Sequence, residues 1–545
     1  MGRKSRPTRV TRRRGDLRQL IEDQRPLSPQ GLGNSVDLSE VASATLYRCI
    51  WETTMSQSVL PRPAAPRPGV RAGLGLTALT ALVVGSMIGS GIFALPSQMA
   101  ASAAPGPLII GWVVTGVGML MLAFVFQSLA TRKPDVDGGV YGYARAGFGN
   151  YIGFTSAFGY WMSAWVGNVA YLVLLFSTLG YFFPAFEGGA TVPAIVGASI
   201  VLWVVHALTL RGIQTAALVN IIVTIAKIVP IVVFIAIAAV GFKAGLFTAD
   251  FWGRATQIDG APLGDTMTQV KNMMLVTVWV FIGIEGAAVY SQRAAKRADV
   301  GRATVLGFGA VLALLLLVNL LSYGLMAQAE LAGVPDPSMA GVLENEVGSW
   351  GAAFISGGLV ISLLGALIAW VLLCVEILRL PAMENVMPKA LAKENAHGAP
   401  ATALWLTNLC VQAMLLWTLA NESTYTNLIY LATSLILLPY LWSAAYQVLL
   451  TLRGETYHDG HGRTRDLVVG VVALGYAVWL LYAGGWQYLL MAAVFYLVGT
   501  ALYVWARRES RLPVFTPGEM VVVGVVAATS AAAIILLATG NLAVL

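Results

Sequence analysis

The sequence predicts an all-α integral membrane protein of about thirteen transmembrane helices. Three observations carry that class. Apolar residues make up 57% of the 545 residues and charged residues only 11%. The mean hydropathy is +0.73, more apolar surface than soluble cores of this size could hide. Apolar runs long enough to cross the hydrocarbon core recur from residue 76 almost to the end of the chain, separated by short polar loops.

In chain order, residues 1–70 come first. They are basic, rich in Pro and Ser, and lack a sustained apolar period, which reads as a disordered cytosolic arm. No apolar stretch directly follows the charges of MGRKSRPTRVTRRR, so no signal peptide is read there. Met55 opens MSQSVLPRPAAPRPG and is an alternative start, which would leave residues 1–54 outside the native protein. Basic arms can bind anionic lipid, but nothing in this one demands it. The formal net charge of +7 sits largely in this arm and in short loops, a distribution that does not fit nucleic-acid binding. Three cysteines, Cys49, Cys374 and Cys410, show neither a disulfide framework nor zinc-site spacing.

The apolar runs lie near 76–98, 108–130, 152–178, 191–210, 217–241, 272–291, 302–326, 351–377, 401–419, 425–450, 466–483, 486–506 and 519–540. Residues 71–450 carry the first ten as a core, and 451–545 carry three peripheral spans. Nearly all loop Lys and Arg fall in TRKPDVDGG, the turn at Arg211, SQRAAKRADVGR, the 377–400 loop, TLRGETYHDGHGRTR and ARRESRLP. The alternate loops lean acidic. The positive-inside rule therefore puts the N-terminus in the cytoplasm and, with thirteen spans, the C-terminus outside.

Two spans weaken themselves. The first contains VVGSMIGSGIFALP (83–96), with Gly85, Ser86, Gly89, Ser90 and Gly91. The sixth contains TVWVFIGIEGAAVY (277–290), with Gly283 ahead of Glu285. Close packing of small residues against a neighbouring helix is one explanation. Spans one and six hold matching places in two halves of five, however, and paired Gly-interrupted segments point to an inverted-repeat transporter with a midplane site. Backbone groups freed at such breaks face a cavity and can hold a carboxylate and an ammonium.

Charges within spans are costly and point to function. Glu285 follows the break of span six directly. Lys227, in TIAKIVPIVVF, lies near the middle of span five. It is read in three ways: a fixed cation bracing the broken first helix where other transporters of this architecture bind sodium, a proton carrier, or a lysine paired with a nearby carbonyl and nothing more. Glu376 and Arg379 read as an interfacial pair. Aromatic residues gather in YWMSAWVGN (Tyr160, Trp161, Trp165) and recur as Trp279 and Trp370. Each alone fits packing or an interfacial belt, but Trp279 lies within two turns of both the break and Glu285. Aromatic faces attract cations, so the combination suits a cationic zwitterion. HDGH (His458, His461) lacks a third ligand for a metal, and GSMIGSG has no strand before it, as a nucleotide fingerprint requires. No cofactor is read.

Four stretches, GSMIGSGIFALP, GGVYGYARAGFGNYIGFTSAFGYWMSAWVGN, TVWVFIGIEGAAVYSQRAAKRADVGRATVLG and MENVMPKALAKENAHGAP, resemble as a set the basic amino acid/polyamine antiporter family of the amino acid–polyamine–organocation superfamily. Within it the similarity points to arginine–ornithine antiporters and lysine permeases. It covers about residues 72–450 well and the last three spans loosely. The resemblance implies a LeuT-like 5+5 inverted-repeat core with discontinuous helices 1 and 6, peripheral helices, and often a homodimer in the cell membrane. It further implies that the Met87 carbonyl, Ser90 and Gly91 hold the substrate's amino and carboxylate groups, and that Trp279 and Ile282 offer carbonyls to the ammonium. Asn168 and the Ser163–Ala164 wall would meet the distal cation, Trp370 would close one side, and Glu285 would be a proton-sensitive carboxylate. Tyr171 stands where some relatives carry methionine, and Ala432 where they carry serine, which leaves the preferred cation open.

The expected function is exchange of cationic amino acids, arginine for ornithine, by alternating access, with no covalent chemistry. Net or proton-coupled uptake of lysine or arginine is the alternative. A membrane enzyme or amino-acid sensor is a third reading, which no nucleophile–base pair or metal cluster in the sequence supports.

Overall fold

The computed structural model describes residues 75–212, 217–285, 296–421, 424–457 and 461–541. The expectations for the N-terminal arm, for Met55 and for His458 fall outside them. Within a bilayer no water is available to the backbone, so each spanning segment must satisfy its own amides, and helices do so internally. The chain forms α1 (Leu76–Met87), α2 (Gly91–Ser102), α3 (Pro105–Arg132), α4 (Val140–Phe148), α5 (Asn150–Gly180), α6 (Val192–Leu210), α7 (Ala217–Gly241) and α8 (Thr266–Trp279). These are followed by α9 (Arg297–Ser322), α10 (Ser338–Val347), α11 (Ser349–Met383), α12 (Ala401–Asn421), α13 (Tyr425–Arg453), α14 (Arg463–Ala483), α15 (Trp486–Glu509) and α16 (Pro517–Ala538).

Eleven of these are long and apolar enough to span a membrane, and the pair α1–α2, bent by 48°, makes a twelfth among the described residues. Span six is the difference from the thirteen expected. Its helix α8 stops after 14 residues at Trp279, the chain turns through 280–285, and residues 286–295 lie outside those described. The other ends match the apolar runs within a few residues.

Successive spans end alternately on two faces. The loops after α3, α11, α13 and α15 share one face, which carries most of the loop Lys and Arg and is called basic below. The segments 181–191, 242–265 and 323–348 share the other, acidic face.

Burial separates core from periphery. The most apolar window of α5 is 89% buried inside the protein, that of α16 only 11%. Helix α5 packs along α11 and α13, while α16 lies mainly against α15 and leaves Val521, Val525 and Ile535 exposed for lipid. Small residues allow the tight crossings. A Cβ on Gly365 of α11 would sit 2.3 Å from Val223 of α7, and one on Gly118 of α3 would sit 2.2 Å from the Tyr476 ring of α14. Helix α5 thereby forms one wall of the protein's centre, opposite the break between α1 and α2.

Candidate functional site

The two weakened helices meet. Helix α1 ends at Met87, Ile88 turns extended, and α2 restarts at Gly91 with Ser90 as its cap. Ser90 makes no capping bond with its side chain; the Phe93 N–H turns back to the Ser90 carbonyl at 3.1 Å, which leaves the Gly91 and Ile92 amides as donors at the start of α2. In span six, Gly283 takes φ of 106°, a conformation open to glycine but strained for an L side chain. Ser86 Oγ donates to the Gly283 carbonyl at 3.0 Å, tying one break to the other.

Between them lies a narrow pocket with free space of about 10 Å³, room for about one water, so a bound amino acid requires its walls to part. Met87, Gly89, Ser90 and Gly91 line one side, and Ser163, Ala164, Gly167 and Tyr171 of α5 the opposite side. Trp279, Val280, Ile282 and Trp370 complete it. Every lining side chain is uncharged. A ligand held here finds amide donors from the start of α2, carbonyls from the two breaks, and aromatic faces. That set matches a carboxylate, an ammonium and a delocalised cation in turn.

The glycines are required by close approach. A Cβ on Gly91 would lie 2.6 Å from Val280 Cγ1 and 2.9 Å from Trp279 Cδ1, and one on Gly89 would lie 2.8 Å from the Tyr171 hydroxyl. The Trp279 ring lies 6.0 Å from that of Tyr171 at 60°, so its face remains partly unstacked.

Eight of the nine residues expected at a substrate site line this pocket: Met87, Ser90, Gly91, Ser163, Ala164, Trp279, Ile282 and Trp370. Asn168 does not. Its carboxamide is buried beside α11, with Nδ2 3.7 Å from Cys374 Sγ and Oδ1 without a partner. The reason is helical phase, since Gly167 and Tyr171 occupy the pocket-facing stripe of α5 there. The Trp279 carbonyl already accepts the Ile282 N–H at 3.2 Å, which leaves it one lone pair for a ligand. Trp161 and Trp165 turn elsewhere, their indoles bonded to Thr407 and Met162. Ala432 is buried in α13 and does not line the pocket.

Glu285 is buried without a cation among the described residues. Both carboxylate oxygens accept the Gly283 N–H at 3.2 Å, and Oε2 also accepts the Tyr440 hydroxyl at 2.9 Å. The Tyr160 hydroxyl lies near the same carboxylate, outside hydrogen-bonding geometry. Tyr160 also lines a vestibule on the basic face, together with Tyr141, Tyr143, Glu376 and Arg379. Tyr160 thus joins the vestibule wall to the buried Glu285–Tyr440 pair. Arg379 lies 3.7 Å from Glu376, the pair expected, and 2.9 Å from Glu394. Lys227 is 6% exposed and donates to the Gly85 carbonyl at 3.0 Å, in the last turn of α1.

On the acidic side the pocket is shut by Tyr425, the first residue of α13, whose hydroxyl meets Ser90 Oγ at 2.7 Å and the Trp279 indole N–H at 3.2 Å. Sequence reasoning missed Tyr425. It lies 335 positions from Ser90 at the start of an ordinary apolar run, with no motif around it. Gly167 and Val280 also escaped, and Gly89 was read only as part of the break, although WVGN and GSG, already quoted, signalled Gly167 and Gly89.

A family model described as amino acid permease matches residues 74–543. An arginine/ornithine antiporter of Pseudomonas aeruginosa is 59% identical over 456 residues, covering 82% of this chain and 94% of that protein. An L-lysine transport protein of Corynebacterium glutamicum is 44% identical, covering 86% of this chain and 96% of its own. An arginine/agmatine antiporter of Chlamydia caviae is 41% identical, covering 80% and 90%.

Proposed function

The chain belongs to the amino acid permease family, and we propose that it is a membrane antiporter exchanging cationic amino acids, arginine for ornithine, by alternating access. One observation carries this reading. Two interrupted helices touch at a narrow pocket whose walls offer backbone donors, backbone carbonyls and aromatic faces but no charge. The start of α2 takes the α-carboxylate, and the breaks take the α-ammonium. The Trp279 and Trp370 rings meet the side-chain cation, where such contacts contribute about 0.5–2 kcal/mol.

A neutral wall binds a cation modestly and releases it again, as exchange requires. Two monovalent cations moving in opposite directions carry no net charge, so the membrane potential does not oppose the cycle. The basic face is assigned to the cytoplasm. The Ser90–Tyr425–Trp279 contact then closes the pocket to the outside, and the Tyr160–Glu285–Tyr440 group lies toward the inner vestibule.

Net or proton-coupled uptake of lysine or arginine is the second reading. Glu285, buried with no cation beside it among the described residues, favours that reading, and one relative is named a lysine transport protein. Counterflow in proteoliposomes decides between them. Vesicles loaded in turn with arginine, ornithine, lysine and agmatine are given external labelled arginine. Uptake that depends on internal ornithine supports exchange. Accumulation in empty vesicles driven by a proton gradient supports the permease.

A further inference from the structure

Outward of the Tyr425 closure, the acidic face holds a carboxylate that the exchange site does not use. Asp336 lies in the segment between α9 and α10. Its Oδ1 accepts Ser97 Oγ at 3.4 Å and its Oδ2 accepts Gln98 Nε2 at 3.3 Å, both from α2 and both long. Among the described residues no Lys, Arg or His pairs with it. Burial pushes its carboxyl up to about 7, against hydrogen bonds from Gln98, Ser97 and the Ser338 amide that pull the other way. The segment around it is pinned, since Ser177 Oγ donates to the Asp336 carbonyl at 2.7 Å and the Ser97 N–H to Ser338 Oγ at 3.1 Å.

Gln98 supplies the second half. It is only 6% exposed, and its Oε1 is buried with no partner. Its amide nitrogen is shared between Asp336 and Thr426 Oγ1, the latter at 3.3 Å on the residue next to Tyr425. A buried amide carbonyl without a donor is costly to maintain. Here it lies beside a carboxylate whose hydrogen-bond donors are all neutral. Two acceptors together call for a cationic donor with several N–H groups. Along α2, seven residues separate Gln98 from Gly91, a rise of about 10 Å. The carboxylate therefore lies one short step outward from the pocket.

We propose that Asp336 and Gln98 form a second, outer subsite that holds the guanidinium or alkylammonium end of a cationic amino acid on its way between the medium and the central pocket. The proposal rests on the cationic-exchange reading above. An arriving cation takes over Asp336 Oδ1 and Oδ2 and the orphan Gln98 Oε1, releasing Gln98 Nε2 from the carboxylate. Anionic substrates are repelled there, and neutral ones gain nothing from the charge.

The test compares labelled arginine half-saturation at the two faces, in intact cells and in inverted vesicles, for wild type, Asp336→Asn and Gln98→Leu. Clefts of one charge sign concentrate their counter-ions by a factor of ten or more, so Asp336→Asn is expected to raise the acidic-face value roughly tenfold and Gln98→Leu roughly threefold, with basic-face values within about twofold of wild type. Equal rises at both faces would mean the pair only holds α2 in place, and no rise at either would mean the carboxylate is idle. Each of these overturns the subsite. Wild-type protein that moves no arginine at all overturns the exchange reading instead.

Discussion

Gly283→Ala tests whether the contact between the two interrupted helices is what makes this protein a transporter. The added methyl meets two obstacles. The φ of 106° at this position is strained for any side chain, at about 1–3 kcal/mol. The new Cβ would also lie 2.7 Å from the Ser86 carbonyl oxygen, a backbone atom that cannot rotate away, and such crowding costs about another 1–3 kcal/mol. The native geometry of the break is thus disfavoured by about 2–6 kcal/mol in total. Each 1.4 kcal/mol is tenfold, so its population falls by at least about 20-fold. Ornithine-driven arginine counterflow should drop to a few per cent of wild type or less. The protein should still extract in detergent as a single species, because the strain is relieved by rearranging 280–285 and not by unpacking α5, α11 and α13. Gly309→Ala on α9 is the control. A Cβ there meets nothing within 4 Å, and alanine favours a helix interior over glycine by up to about 1 kcal/mol. Its transport should be unchanged. Near-normal counterflow by Gly283→Ala, or equal loss in both variants, would refute the argument that the break geometry governs transport.

Trp279→Leu removes both the ring facing the pocket and the indole bond to Tyr425, so detergent-state arginine affinity should fall roughly fivefold or more for a cation–π loss of about 1 kcal/mol. Unchanged affinity on folded protein would remove the ring from the site. Lys227→Ala strips the Gly85 carbonyl of its donor and should cripple counterflow, while Lys227→Arg keeps the charge and should retain part of it; proton movement coupled to arginine uptake in wild type, lost in Lys227→Ala vesicles that still exchange, would make Lys227 a proton carrier instead. A pH dependence follows from Asp336, whose carboxyl is raised to about 7 by burial. It carries its charge above that value and loses it below, with Tyr425 and Tyr430 the titratable groups that feel it. Acidic-face half-saturation for arginine should therefore fall as pH rises from about 6 to 8, and the Asp336→Asn profile should be flat over that range; a wild-type profile just as flat would contradict the charge assignment.

Local sequence alone determined that this chain enters a membrane, nearly where each span other than the sixth starts and stops, and where glycines weaken spans one and six. Transfer from water to lipid is additive along a segment, so a window of sequence contains the whole cost, and glycines such as Gly89, Gly91 and Gly283 announce their breaks locally. Tertiary structure decided which side of each helix faces the centre. A helix apolar all round, such as α5 with its mean burial on every side, has no polar face to fix its rotation. Only packing against α11 and α13 turned Gly167 and Tyr171 to the pocket and Asn168 toward Cys374. The same holds across long separations. Nothing near Tyr425 in the chain marks it for Ser90, and nothing near Asp336 marks it for Gln98. Those contacts exist because small residues at the crossings let the helices approach closely enough for distant side chains to find the unsatisfied donors and acceptors between them.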